Sequence, residues 1–284
     1  MTRADEDPTA LSKIHAAESN HGKHWYTSTG QHVDNKGGKG TFSLFGAYVQ
    51  RSADFSLLQT AVIRSKAAHA KKGTTSQTVE AGWINYPDHG KEPHLFSYFT
   101  TNGYSGDGDN IGGWNRDRKG WVQVDKDLYP GIPFKPLSTR GGNQHELEIG
   151  YHLADGNWWL WCLDRYIGYY PGSLFSQGVN AADTLADHSD IIDFYGEIFN
   201  SEEEVTTTDM GSGEWPDAGY GKAAYIHNIV YTDTKGNFQN YNGQSQLIIS
   251  DAKRYNIKPS WNSASSWGSY FYLGGPGAGG KIGA

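Results

Sequence analysis

From residue 41 onward the chain is a run of short segments in which apolar residues recur at every second position, with clusters of Gly, Asn, Asp and Pro between them and almost nothing of helical period. Strand follows strand. Parallel neighbours need long crossovers, usually helices, so the sheets are expected to be antiparallel and to cover one another. The pattern predicts an all-β fold, an antiparallel β-sandwich of two stacked, curved sheets, jelly-roll-like. Candidate strands cover 41–50, 57–64, 78–86, 94–101, 120–124, 145–152, 157–163, 166–171, 191–200, 222–232 and 269–273. One or two helical turns are expected around Val179, Ala182 and Leu185.

Ahead of this run, Asp7-Pro8 is a capped helix start, and Leu11, Ile14 and Glu18 follow at helical spacing, which predicts a short N-terminal helix to Asn20. A polar stretch rich in Gly and Lys, 34–40, reads as a connection. Residues 1–38 are therefore expected to be an appendage and 39–284 the β domain, with a mobile tail from Gly274. A chain of 284 residues lies within the range of one large all-β unit.

Lys plus Arg number 24 against 31 Asp plus Glu, a net charge of -7 with no basic run. That sign opposes a phosphate backbone, so no nucleic-acid partner is expected. No stretch approaches the ~20 apolar residues of a membrane span, so no membrane partner is expected either, and Met1 to Asn20 lacks the apolar core of a signal peptide. Cys162 is the single cysteine. Flanked by Trp161 and Leu163, it reads as a small buried hydrophobe, and no internal disulfide can form.

Two carboxylates stand out. In Thr78-Val79-Glu80-Ala81-Gly82-Trp83, alternation turns Val79, Ala81 and Trp83 toward one face, and Glu80 toward the other with Thr78 and Gly82. Gly82 would remove bulk beside Glu80 that could block a substrate. In Ile192-Asp193-Phe194-Tyr195-Gly196-Glu197-Ile198 the same logic puts Glu197 opposite the apolar face. On pattern alone these are equally charges on an exposed sheet face.

Other signals fall short. There is no His-Glu-x-x-His, and a strand would splay His145 and Glu146 to opposite faces, so no metal is expected. Asp107-Gly108-Asp109-Asn110 lacks the distant bidentate Glu of a calcium loop. Gly211-Ser212-Gly213 is not a nucleophile elbow, and Gly106-x-Gly108 has no strand and helix around it for a dinucleotide. No cofactor is expected.

In order along the chain, Phe55-Ser56-Leu57-Leu58-Gln59, Gln77-Thr78-Val79-Glu80-Ala81-Gly82-Trp83 with Tyr86-Pro87, Leu95-Phe96-Ser97-Tyr98-Phe99-Thr100, Gly168-Tyr169-Tyr170-Pro171, Leu174-Phe175, Gly196-Glu197-Ile198, Met210-Gly211-Ser212-Gly213, and Phe271-Tyr272 with Gly274-Gly275-Pro276-Gly277 resemble the neprosin family. The resemblance implies a two-sheet sandwich with a concave groove, secretion, and glutamic endopeptidase activity at acid pH beside proline, after it in the first instance. It implies that Glu80 and Glu197 are the catalytic pair and that Gln59 lies beside them. Within the β domain the chain departs from the family in two places. It lacks the cysteine pair usual after the Phe-x-Tyr-x-Thr strand, and Tyr195 stands where a second glycine is usual.

If two carboxyls share one water, repulsion leaves one ionised and one protonated in mild acid. The expected assignment has Glu80 as base and Glu197 as acid, with Gln59 assisting Glu197 at the carbonyl oxygen, though the sequence serves either order. A proline ring needs an apolar pocket, for which Trp83, Tyr169, Tyr195 and Tyr225 are candidates, Trp83 against its place on the buried face. The expected partners are proline-containing peptides, and the expected state is a monomer. Two other readings carry the same features: a jelly-roll glycoside hydrolase with two glutamates, and a non-catalytic lectin-like module.

Overall fold

The computed structural model describes residues 22–105, 112–261 and 264–283. Fifteen strands occur among them: β1 (Lys23–Ser43), β2 (Phe55–His69), β3 (Gly73–Tyr86), β4 (Gly90–Thr100), β5 (Gly112–Trp114), β6 (Val122–Gln123), β7 (Glu146–Ala154), β8 (Asn157–Cys162), β9 (Arg165–Pro171), β10 (Ser189–Asn200), β11 (Ala224–Asp233), β12 (Phe238–Asn240), β13 (Gln246–Ile249), β14 (Asn256–Trp261) and β15 (Ser269–Gly274). All pairings between them are antiparallel. They form one continuous sheet, β5-β4-β3-β2-β10-β1-β7-β8-β9-β6, with β11 and β13 also on β1, and β12, β15 and β14 carried by β11.

The sheet curls because β1 belongs to both of its halves. From Lys23 to His32 it pairs with β10; the register then shifts between His32 and Asn35, and from there it pairs with β7 and β11. Asn35 pins this irregularity, accepting from the Gly37 N–H at 3.0 Å and the Ser189 hydroxyl at 2.5 Å. Gly37 has φ +113°, and a Cβ there would lie 2.0 Å from the Tyr151 carbonyl oxygen, so only glycine serves.

The core fills the space between the halves. Leu58, Val62, Val79, Trp83 and Phe194 meet Phe42, Ile149, Leu160, Ile226 and Phe271. Phe99 packs on Tyr170 with ring centroids 4.8 Å apart, and the Tyr170 hydroxyl lies 2.9 Å from that of Ser97. Cys162 is fully buried here and burial pushes its thiol up to about 12, so it packs as the hydrophobe its neighbours imply.

The expected sandwich-like, all-β architecture is present; four local expectations differ or lie out of view. The expected N-terminal helix over 7–20 lies outside the described residues. The polar stretch 34–40 is part of β1, where strand pairing on both edges outweighs the low β-propensity of its glycines and lysines. The turns near Val179 reduce to one 3-10 turn, Ala181–Asp183, capped by Asn180. The tail is tied down: Met210 bridges Gly275, Ala278 N–H donates to Thr206 at 3.0 Å, and Gly283 N–H donates to Asp209 at 2.9 Å. Gly274 and Gly275 read as freedom but serve close approach, since a Cβ on Gly275 would stand 2.0 Å from the Arg254 carbonyl oxygen and one on Gly274 2.2 Å from that of Glu214.

Candidate active site

Three strands bring the two glutamates and Gln59 onto one face, away from the core. Pairing aligns Tyr26, Glu197, Leu57 and Ile84 in one row across β1, β10, β2 and β3; Ser28, Tyr195, Gln59 and Gly82 form the next, and Gly30, Asp193, Ala61 and Glu80 the third. Gln59 is thus one diagonal step from each glutamate, ~7–8 Å between backbones. All three line a single cavity of about 50 Å³, together with His24, Tyr98, Tyr104 and Trp114. That volume suits a few waters rather than a substrate, which would have to lie across the opening.

Glu80 is held by three donors. Its Oε1 accepts from the Thr78 hydroxyl at 2.7 Å and from the Tyr104 hydroxyl, and its Oε2 accepts from Gln59 Nε2 at 3.1 Å. A carboxylate is acceptor-only when ionised, so this set of donors matches the ionised form. Burial and the neighbouring Glu80 charge hold the Tyr104 hydroxyl well above its ordinary range, which keeps it a donor. Glu197 has a different partner: His24 Nδ1 lies 2.5 Å from its Oε1. Both glutamates are only 4% exposed.

Gln59 is hydrogen-bonded to Glu80, the other glutamate from the one it was expected to assist. Its Nε2 donates to Glu80 and to the Tyr195 hydroxyl oxygen, and its buried Oε1 has no partner among the described residues. Gly82 also has a different purpose. A Cβ there would come within 1.9 Å of the Leu58 carbonyl oxygen, so the glycine lets β2 and β3 close beneath Gln59 and opens no space for substrate.

Of the four aromatics proposed for a proline pocket, none lines the cavity. Trp83 lies in the core, its indole N–H donating to the Ser43 carbonyl at 2.8 Å, as the alternation of β3 requires. Tyr169 belongs to the other half of the sheet, packed 4.4 Å from Trp159. Tyr225 is there too, its hydroxyl donating to Glu146 at 2.5 Å. Tyr195 does face the site but is wholly buried, supporting Gln59 from behind. The aromatic walls are instead Tyr98, Tyr104, Trp114 and Phe55.

Tyr98 was within reach of sequence reasoning, since a β3–β4 hairpin sets it opposite Glu80. Tyr104 was not, because it comes from the loop that lacks the family's cysteines. Asn115, at the end of that stretch, is held to β4: its N–H donates to Ser97 O at 2.7 Å and its Oδ1 accepts from the Ser97 N–H at 3.0 Å. His24 carried no signal at all, standing in the stretch read as an appendage.

Asp193, in the same row as Glu80, is fully buried, and neither of its oxygens has a hydrogen-bond partner among the described residues. Burial, then the Glu80 charge, raise its carboxyl well above the usual range, which favours its neutral form.

The family model for Neprosin matches residues 52–276. Among solved structures, scytalido-glutamic peptidase with a transition-state analogue inhibitor is 8% identical with a TM-score of 0.44, over 90% of this chain and 99% of that one. SCP-B, a member of the eqolisin family of peptidases in complex with the tripeptide Ala-Ile-His, is 7% identical with a TM-score of 0.40 over the same shares.

Proposed function

The chain belongs to the Neprosin family, and from that premise we propose that it is a secreted glutamic endopeptidase that hydrolyses peptide bonds after proline in acid, through Glu80 and Glu197. The observation that carries the reading is the shared cavity: two glutamates 117 positions apart in sequence (197 minus 80) line one small space with Gln59 between them.

Peptide hydrolysis needs an activated water, a stabilised oxyanion and a proton for the departing nitrogen. Glu80, surrounded by donors, is the base that takes the water's proton. Gln59 orients Glu80 through Nε2 and keeps Oε1 to accept from the water. Glu197, steered by His24, is the acid that hydrogen-bonds the carbonyl oxygen and passes a proton to nitrogen. Acid pH follows from this division, because one carboxyl must carry a proton while its neighbour does not. The proline ring would rest on the apolar rim made by Phe55, Leu57, Tyr98 and Trp114.

The test is digestion of a proteome at pH 3 to 6 with identification of the new termini. Enrichment of proline immediately before the cut supports the whole reading. Cleavage without a proline preference would keep the peptidase and remove the specificity, and no cleavage by wild type would remove both.

A further inference from the structure

On the far side of the core from the catalytic cavity, the outer face of β9, β8, β7 and β1 carries a second, larger depression of about 250 Å³. Its floor is the backbone of Gly38 and Gly150, and a Cβ on Gly150 would come within 2.2 Å of the Gly38 carbonyl oxygen. Its walls are rings. Trp161 and Tyr166 stand edge to face with centroids 5.0 Å apart, and Phe238 faces them across Lys39, whose ammonium is 5.5 Å from the Trp161 ring centre and 5.4 Å from that of Phe238. Phe238 is 60% exposed and Tyr166 41%, an arrangement that folding alone does not require.

Polar atoms rim this apolar floor. Glu148 Oε1 accepts from Lys39 Nζ at 2.9 Å and from the Trp161 indole N–H at 2.6 Å. His152 Nδ1 lies 2.9 Å from the Tyr166 hydroxyl. Trp159 extends the aromatic surface past Tyr166, 5.9 Å away.

We infer that this depression binds a neutral hexopyranose polymer, with sugar C–H faces stacked on Trp161 and Tyr166 and ring hydroxyls bonded by Lys39, Glu148 and His152. A pyranose has this same double character, an apolar face bordered by equatorial hydroxyls. Other occupants fit worse. The two charges, Lys39 and Glu148, cancel in an ion pair, so a polyanion gains little. A second cation between the rings would meet the Lys39 ammonium. A proline-rich peptide in polyproline II form docks by receiving hydrogen bonds at its carbonyls, and the indole N–H that would donate is already held by Glu148. Strand addition is closed off along the floor too, since β1, β7 and β8 are paired on both edges.

The experiment is affinity electrophoresis of the full chain in gels containing soluble mixed-linkage glucan, galactomannan or xylan, with polygalacturonate as the acidic control. Wild type should be retarded by at least one neutral polymer and not by polygalacturonate. Trp161→Ala should raise the dissociation constant tenfold or more, and Phe238→Ala, at a position 60% exposed and outside the core, severalfold. Failure of every neutral polymer to retard wild type overturns the inference. So does unchanged retardation of both variants, or displacement of the polysaccharide by a proline-rich peptide. Binding is read here without turnover, so the result stands apart from the peptidase reading.

Discussion

His24 on β1 stands 2.5 Å from Glu197 on β10, and this contact ties the start of the first strand to the cavity that both glutamates line. A hydrogen bond to a charged partner contributes ~1.5–3 kcal/mol. His24→Ala is therefore expected to lower kcat by roughly 10- to 100-fold, with the melting temperature kept within a few degrees. Steady-state kinetics on a proline-containing quenched peptide would measure it, and wild-type kcat in the variant would show that Glu197 needs no such support.

Glu80→Gln and Glu197→Gln each remove one half of the proposed acid–base pair without altering side-chain shape. Each is expected to cost at least ~10²-fold in kcat/KM. The double variant should be little worse than the worse single one, since groups that act as a unit are not additive. Two independent, multiplying losses would argue for separate roles.

Tyr104→Phe deletes one of three donors to Glu80 and leaves the ring against Tyr98. The expected effect is a drop in kcat of about tenfold with KM near wild type, from a lost hydrogen bond to a charged group. A rise in KM with kcat unchanged would instead place Tyr104 in substrate binding.

Trp83→Phe tests the buried assignment of that residue. Loss of the indole N–H leaves the Ser43 carbonyl unsatisfied and removes core volume, at a cost of ~1–3 kcal/mol in stability. The folded variant should show the same cleavage preference as wild type in the digest described above. A changed preference would return Trp83 to the specificity pocket.

Asp209, which receives the Gly283 N–H, has its carboxyl raised to about 7 by burial. A group with a raised folded-state value favours the native protein most fully below the ordinary carboxylate value of 3.8, and loses that contribution as pH climbs through about 7. Stability should decline across this window by up to ~1.4 kcal/mol per pH unit. Asp209→Asn should flatten the decline in urea melts between pH 4 and pH 7; an identical slope in both proteins would refute the assignment.

Alternation was enough to reveal the all-β architecture and the side on which Glu80 and Glu197 lie, because a strand buried on one face writes its orientation directly into the sequence. It could also have kept Trp83 out of the pocket, since Val79 and Ala81 flank it on the core side. What alternation does not carry is pairing between distant strands. Nothing local joins Tyr26 to Glu197 or Tyr195 to Gln59; those registers come from the β1–β10 and β10–β2 ladders. Tyr169 and Tyr225 were misplaced for the same reason, having the right alternation in the wrong half of the sheet.

The family match begins at residue 52, beyond β1. A fragment trimmed to that boundary would bare one whole side of β10, a row of amide and carbonyl groups that now meets Lys23 through His32. Such an open ladder recruits other chains, so the excised piece would be expected to self-associate, and β1 is in that sense a built-in guard against polymerisation.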